Sequence, residues 1–152
     1  MPVVNLKTNS EQETIQLGES LARQLKGGDI VCLHGELGAG KTTLVKGIGK
    51  GLKVRESNIN SPTFVLMNVY EGKTPIYHYD LYRLGDRFSM ETIGLDEFLY
   101  RDGIAVIEWA DKMGELTPKE YLNIKLKHNK NQGRSITLSA KGKRYKDILE
   151  KL

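Results

Sequence analysis

The chain has one cysteine, four prolines and three phenylalanines in 152 residues. Cys32 has no cysteine partner, so a disulfide scaffold is excluded and a reducing, cytoplasmic setting is expected. No apolar run approaches the roughly 20 residues of a membrane helix, so no membrane association is expected. The opening MPVVNLKTNSEQET has neither a basic n-region nor an apolar h-region, and no secretory signal is expected. Histidine is scarce too. His34, His78 and His128 show no metal-ligand spacing and Cys32 has no nearby partner, which argues against a zinc site. What is present is 39% hydrophobic and 28% charged residues, the composition of a globular chain rather than a disordered or coiled-coil one. Its length suits a single domain over 1–152.

The 23 basic and 19 acidic side chains leave +4. That excess is uneven. Residues 1–116 carry 13 Lys/Arg against 16 Asp/Glu, whereas residues 117–152 carry 10 against 3. The positive charge belongs to the last quarter of the chain. A solvated face is its plainest reading, and it is also the stretch expected to meet an RNA or an acidic partner, if either is met directly.

Ser10 and Glu13 have capping-box spacing ahead of Ile15, Leu17, Leu21, Ala22 and Leu25, a helix that Gly27-Gly28 should stop. DIVCLH (29–34) reads as a buried strand, with Cys32 packed inside it. The next helix contains Leu44, Val45, Ile48 and Leu52, and glycines 47, 49 and 51 weaken its end. VLMNVY and PIYHYDLY, joined by EGKT, read as a hairpin, in which Tyr77, Tyr79 and Tyr82 are packing residues. Met90 to Tyr100 suggests a short helix, GIAVIEW (103–109) a central strand, and YLNIKLKH with RSITLSA a second hairpin. A terminal helix carries Tyr145, Ile148, Leu149 and Leu152. The expected fold is α/β, a P-loop-type mixed sheet with helices on both faces and β-hairpin insertions.

Gly35, Gly40, Lys41 and Thr42 satisfy G-x-x-x-x-G-K-[ST] between the strand and the helix. Glycines let such a loop wrap phosphates closely, and the helix N-terminus adds a favourable dipole. Lys41 would neutralise the β- and γ-phosphates and the Thr42 hydroxyl would bind Mg²⁺. Chance predicts roughly 0.01 such matches in a chain of this composition, so the match is informative. Two acids stand at strand ends where they could complete a metal site: Glu108 after Ile104–Ile107, and Asp80 after Ile76–Tyr79. Spacing does not say which touches the metal and which acts through water. Thr63, in Ser61-Pro62-Thr63-Phe64, lies where a switch loop places a γ-phosphate sensor; a plain Ser-Pro turn is the competing reading.

The ordered set GELGAGKTT, SPTF, HYDLYRL, GLDEFL and IEW resembles the TsaE family, bacterial P-loop ATPases required for N6-threonylcarbamoyladenosine in tRNA. The resemblance covers nearly the whole chain. It implies an ATP hydrolase, slow alone, whose cycle drives or resets a complex of TsaD-like and TsaB-like partners, with tRNA met indirectly through that complex. On the matching positions, Gly38, Ala39, Gly40, Lys41, Thr42 and Thr43 would bind ATP, and Thr42 with Glu108 would hold Mg²⁺. Asp80 would lie near the metal and the γ-phosphate, Trp109 beside the nucleotide, and Thr8 and Ser10 where the family closes over the base. Ala110 departs from the family pattern, in which proline often follows the Glu-Trp pair.

A small metabolite kinase is the alternative; Arg83, Arg87 and Arg101 could serve a lid, but the hairpin in the middle of the chain argues against it. A regulatory GTPase lacks support, since Asn129-Lys130-Asn131-Gln132 ends in Gln where guanine specificity uses Asp. A module that holds ATP as a conformational signal shades into the favoured reading, because no intrinsic arginine finger is evident.

Overall fold

The computed structural model describes residues 2–36, 38–55, 59, 67–82, 99, 102–130 and 133–152. Thr63 with the rest of SPTF, the three lid arginines, and the 90–100 helix apart from Leu99 lie outside these described residues.

Seven strands form one sheet: β1 (Val3–Thr8), β2 (Ile30–His34), β3 (Met67–Tyr70), β4 (Ile76–Asp80), β5 (Ile104–Glu108), β6 (Tyr121–His128) and β7 (Arg134–Lys141). Their order is β1-β7-β6-β2-β5-β4-β3. β6, β2, β5 and β4 run parallel; β6 also pairs antiparallel with β7, so β6, β7 and β1 form one antiparallel wing and β3, paired with β4, edges the other side. Both expected hairpins are present, β3–β4 and β6–β7, and each is built into the sheet rather than standing apart from it.

Helices α1 (Glu11–Ala22), α2 (Lys41–Gly51) and α3 (Lys143–Glu150) pack on one face with Val31, Leu33, Val106, Ile124 and Leu138. On the other face the 3-10 segment Ala110–Leu116 places Met113, with Leu99, over Cys32, Tyr79 and Ile107. Helical elements therefore cover both faces of the mixed sheet. A parallel strand covered on both sides must be apolar throughout. β2, β4 and β5 accordingly expose almost nothing, so any charge among them is a buried charge.

Ser10 caps the helix as expected, its Oγ accepting from the Glu13 N–H at 3.1 Å, but Glu13 Oε1 reaches back to the Asn9 N–H at 3.1 Å rather than to that of Ser10. The helix it starts ends at Ala22, short of Gly27-Gly28. α2 ends at Gly51, as its glycines suggest, and those glycines also serve packing. A Cβ on Gly47 would lie 2.2 Å from the Ile15 carbonyl oxygen, and one on Gly18 would lie 2.6 Å from that of Leu44. The two helices touch backbone to backbone through these residues, which fixes the N-terminus of α2 at the end of β2.

Candidate functional site

The loop between β2 and α2 delivers Gly40, φ 104°, as the residue ahead of the helix, a left-handed conformation that glycine adopts without strain. Lys41 follows as the first helical residue. Its side chain is only 5% exposed. A buried ammonium needs a counter-charge, and the sheet register provides it. Asp80 of β4 and Glu108 of β5 are direct neighbours in the parallel ladder, both at carboxyl ends of strands. Two carboxylates side by side demand a cation, and Lys41 Nζ lies 3.5 Å from Glu108 Oε1.

The second Glu108 oxygen is held just as firmly. His78 Nε2 lies 2.6 Å from Glu108 Oε2, and His78 Nδ1 lies 3.0 Å from the Tyr70 hydroxyl. His78 is fully buried. This Tyr70–His78–Glu108–Lys41 chain runs from the edge strand β3 across the sheet to the phosphate loop. Asp80 is fixed separately: its Oδ1 accepts from the Tyr82 N–H at 2.9 Å.

Trp109 turns the chain out of β5 in a left-handed conformation, φ 58°, uncommon for a residue other than glycine. It puts the indole 4.8 Å beneath the Lys41 ammonium and 5.0 Å from the Tyr82 ring. Lys112 donates to the Tyr82 carbonyl at 2.5 Å. A cavity of about 230 Å³ results, lined by Gly38, Gly40, Lys41, Thr42, Thr43, Asp80, Glu108, Trp109 and Arg134. A second hollow, of about 250 Å³, joins it at Thr43 and Arg134 and continues to Thr14 and Glu11.

Most of the residues expected from the sequence therefore meet in one cleft. Three do not line it. Ala39 is buried beside it, in a hollow shared with His34 and Glu36. Thr8 and Ser10 stand one contact behind Thr14: Thr8 Oγ1 lies 2.7 Å from Thr14 Oγ1, which also donates to the Ser10 carbonyl at 3.3 Å. A larger hollow of about 760 Å³ lies at the opposite ends of the strands, around Asp29 and Arg144, and contains none of the expected residues.

Sequence reasoning missed three neighbours. His78 was legible, in that a polar residue alternating with Ile76 and Asp80 on one face of a buried strand needs a partner. Tyr82, read as hairpin packing, instead faces Trp109. Arg134 had no local signal; only the pairing of Thr8 with Arg134 across β1 and β7 carries it over Gly40, where a Cβ would come within 3.0 Å of its Nε. Among the described residues no group of three or more His, Cys, Asp or Glu could hold a metal by itself, so any cation here would need oxygens from elsewhere.

Comparison with known proteins agrees with this fold. The family model described as threonylcarbamoyl adenosine biosynthesis protein TsaE matches residues 8–136. The chain belongs to the TsaE family. This TsaE chain is similar to the tRNA threonylcarbamoyladenosine biosynthesis protein TsaE of Bacillus subtilis, 39% identical over all of this chain and 95% of that one. Its similarity to the protein of the same name from Aquifex aeolicus is 46% over 105 residues, 68% of this chain and 74% of that one. The crystal structure of Bacillus subtilis YdiB superposes with a TM-score of 0.82 at 35% identity, covering 98% of this chain and 93% of that one. As a TsaE protein the chain is a P-loop ATPase family member, acting in tRNA threonylcarbamoyladenosine synthesis. Among the described residues no helix is long and apolar enough to cross a membrane.

Proposed function

We propose that this single-domain chain is the Mg²⁺-dependent ATPase subunit of a cytoplasmic threonylcarbamoyladenosine machinery, and that its ATP cycle drives or resets a complex of TsaD-like and TsaB-like partners. The observation that carries the reading is the Lys41–Glu108 pair at the start of α2, a buried ion pair facing a phosphate-sized cleft. With ATP bound, the Lys41 ammonium exchanges a carboxylate for the β- and γ-phosphates. Backbone N–H groups of Gly38 to Thr43 add donors at a helix N-terminus. The second hollow gives the nucleoside a path toward Thr14, with Thr8 and Ser10 shaping it from behind and Arg134 beside the phosphate chain.

The Thr42 hydroxyl and the Glu108 carboxylate are hard oxygen donors of the kind Mg²⁺ takes, and Asp80 stands next to them. Once bound, the ion supplies positive charge to the β- and γ-phosphates. Asp80, oriented by the Tyr82 N–H, is the group placed to orient the attacking water. His78 keeps Glu108 from swinging away when Lys41 turns to phosphate. Thr63 is assigned the γ-phosphate contact on its place in the sequence, between the phosphate-loop helix and the first hairpin.

Turnover by the isolated chain is slow, and partners are needed to speed it. Reconstitution of tRNA modification from purified subunits, with and without this chain, tests the reading. Multiple turnovers are expected only in its presence. Equal multiple-turnover product without it would refute the proposal.

A further inference from the structure

The antiparallel wing formed by β1, β7 and β6 is covered by helices on one face, and on the other only its Tyr121 end packs against the cluster of the 3-10 segment. Its inward positions, such as Leu6, Ile124 and Leu138, belong to the helix-covered core. Its outward positions fall in lateral rows fixed by the register. Lys7, Ser135 and Lys127 make one row, and Asn5, Thr137 and Lys125 make the next. The three lysines are exposed, and no outward strand position of this wing carries an acid. Glu36, on the phosphate loop, is an acid at the rim, in the hollow that also borders Lys125 and Lys127. Farther along, Lys141 lies over the Tyr121 ring at 5.8 Å.

The chemistry of this face is selective. Cores of protein–protein interfaces are rich in aromatic residues, Met and Arg, and poor in Lys and Ser. Here the rows are lysine alternating with small hydroxyl and amide groups, held flat by bonds such as Thr137 Oγ1 donating to Asn5 Oδ1 at 3.0 Å. Lysine, serine, threonine and asparagine are among the side chains that contact nucleic-acid phosphates. We propose that this sheet face docks the phosphodiester backbone of a folded RNA directly. The Proposed function routes tRNA through the partners, so this is an additional contact, made by the chain itself and independent of nucleotide hydrolysis.

The test is binding of an unmodified tRNA transcript to the full chain alone, without nucleotide or partners, followed by fluorescence anisotropy across a salt series. The triple substitution Lys7→Gln/Lys125→Gln/Lys127→Gln should weaken binding about tenfold or more and lower the slope of log affinity against log salt by roughly 2. Its ATPase rate and melting temperature should match the unaltered chain. Lys143→Gln/Lys146→Gln/Lys151→Gln removes equal charge from the basic last quarter, around the helix that packs on the covered side; it should bind tRNA as the unaltered chain does. The proposal fails if the unaltered chain does not bind tRNA, or if the first triple variant binds normally. It also fails if both variants lose equally, which would mean diffuse charge. Competition by polyglutamate as effective as by tRNA would mark the face as a site for an acidic protein and overturn it too. Lys41→Ala should abolish multiple-turnover modification while keeping tRNA binding, so failure here is distinguishable from failure of the ATPase reading.

Discussion

The parallel centre of the sheet and its antiparallel wing use charge in opposite ways. In the centre, β4 and β5 are buried from end to end, yet His78, Asp80, Glu108 and the adjoining Lys41 sit within or against them. Each is costly to bury and each is paired or hydrogen-bonded. In the wing, Lys125 and Lys127 of β6 and the hydroxyls of Ser135 and Thr137 of β7 stand outside, alternating with buried leucines and isoleucines. Charge there costs little and follows the pleat. A lone charge in a covered strand thus points to chemistry, while a charge in an alternating strand points to a surface.

The sharpest way to break the comparison is Lys41→Ala, which removes the cation of the centre. ATP turnover should fall to background, as a coupled hydrolysis assay would register; activity at the unaltered rate would remove the phosphate-loop assignment. Asp80→Asn and Glu108→Gln should each lower turnover by about 100-fold or more while the chain still folds, since both keep their shape and a hydrogen-bonding oxygen. If both keep full Mg²⁺-dependent turnover, the buried acids are structural only.

Next in size is a pair of neighbours on β6. Ile124→Ala should cost about 2–5 kcal/mol by denaturant unfolding, whereas Lys125→Ala should stay within about 0.5 kcal/mol. Similar losses at both positions would mean that the wing is not one-sided.

A smaller, pH-dependent effect separates the two regions at their shared edge. Burial pushes the Tyr145 phenol of α3 from 10.0 up to about 12, and its oxygen accepts from the Ile30 N–H at the start of β2 at 2.9 Å. The folded chain keeps this proton where the unfolded chain releases it, so stability should fall as pH rises from about 10 to 12. In Tyr145→Phe that fall should flatten, over a baseline lowered by about 1–3 kcal/mol for the unpaired N–H. An unchanged alkaline slope would discount the tyrosine. Smallest of all, Trp109 fluorescence should change on ATP saturation with no loss of fold. No change would place the indole away from the nucleotide.

Much of this molecule was legible in advance for physical reasons. The phosphate loop is a local signal, because glycines, lysine and threonine act within one turn of chain. The Ser10–Glu13 cap and the alternation of YLNIKLKH are equally local. Asp80 and Glu108 were legible as strand-end acids, but not as ladder neighbours. The end of α2 at Gly51 was legible from its glycines, but the close approach of Gly47 to the Ile15 backbone of another helix was not.

The sequence by itself determined that this is an α/β P-loop protein of the TsaE pattern, with its net basic excess in the last quarter. Those properties depend on residue type and short spacing, which the linear chain carries in full. Only the tertiary structure decided that Glu108 divides its oxygens between Lys41 and His78, that Arg134 reaches Gly40, and that Lys7 joins Lys125 and Lys127 on one open face. Each of these joins residues far apart in the chain, and sheet order and register are set by the packing of the whole core.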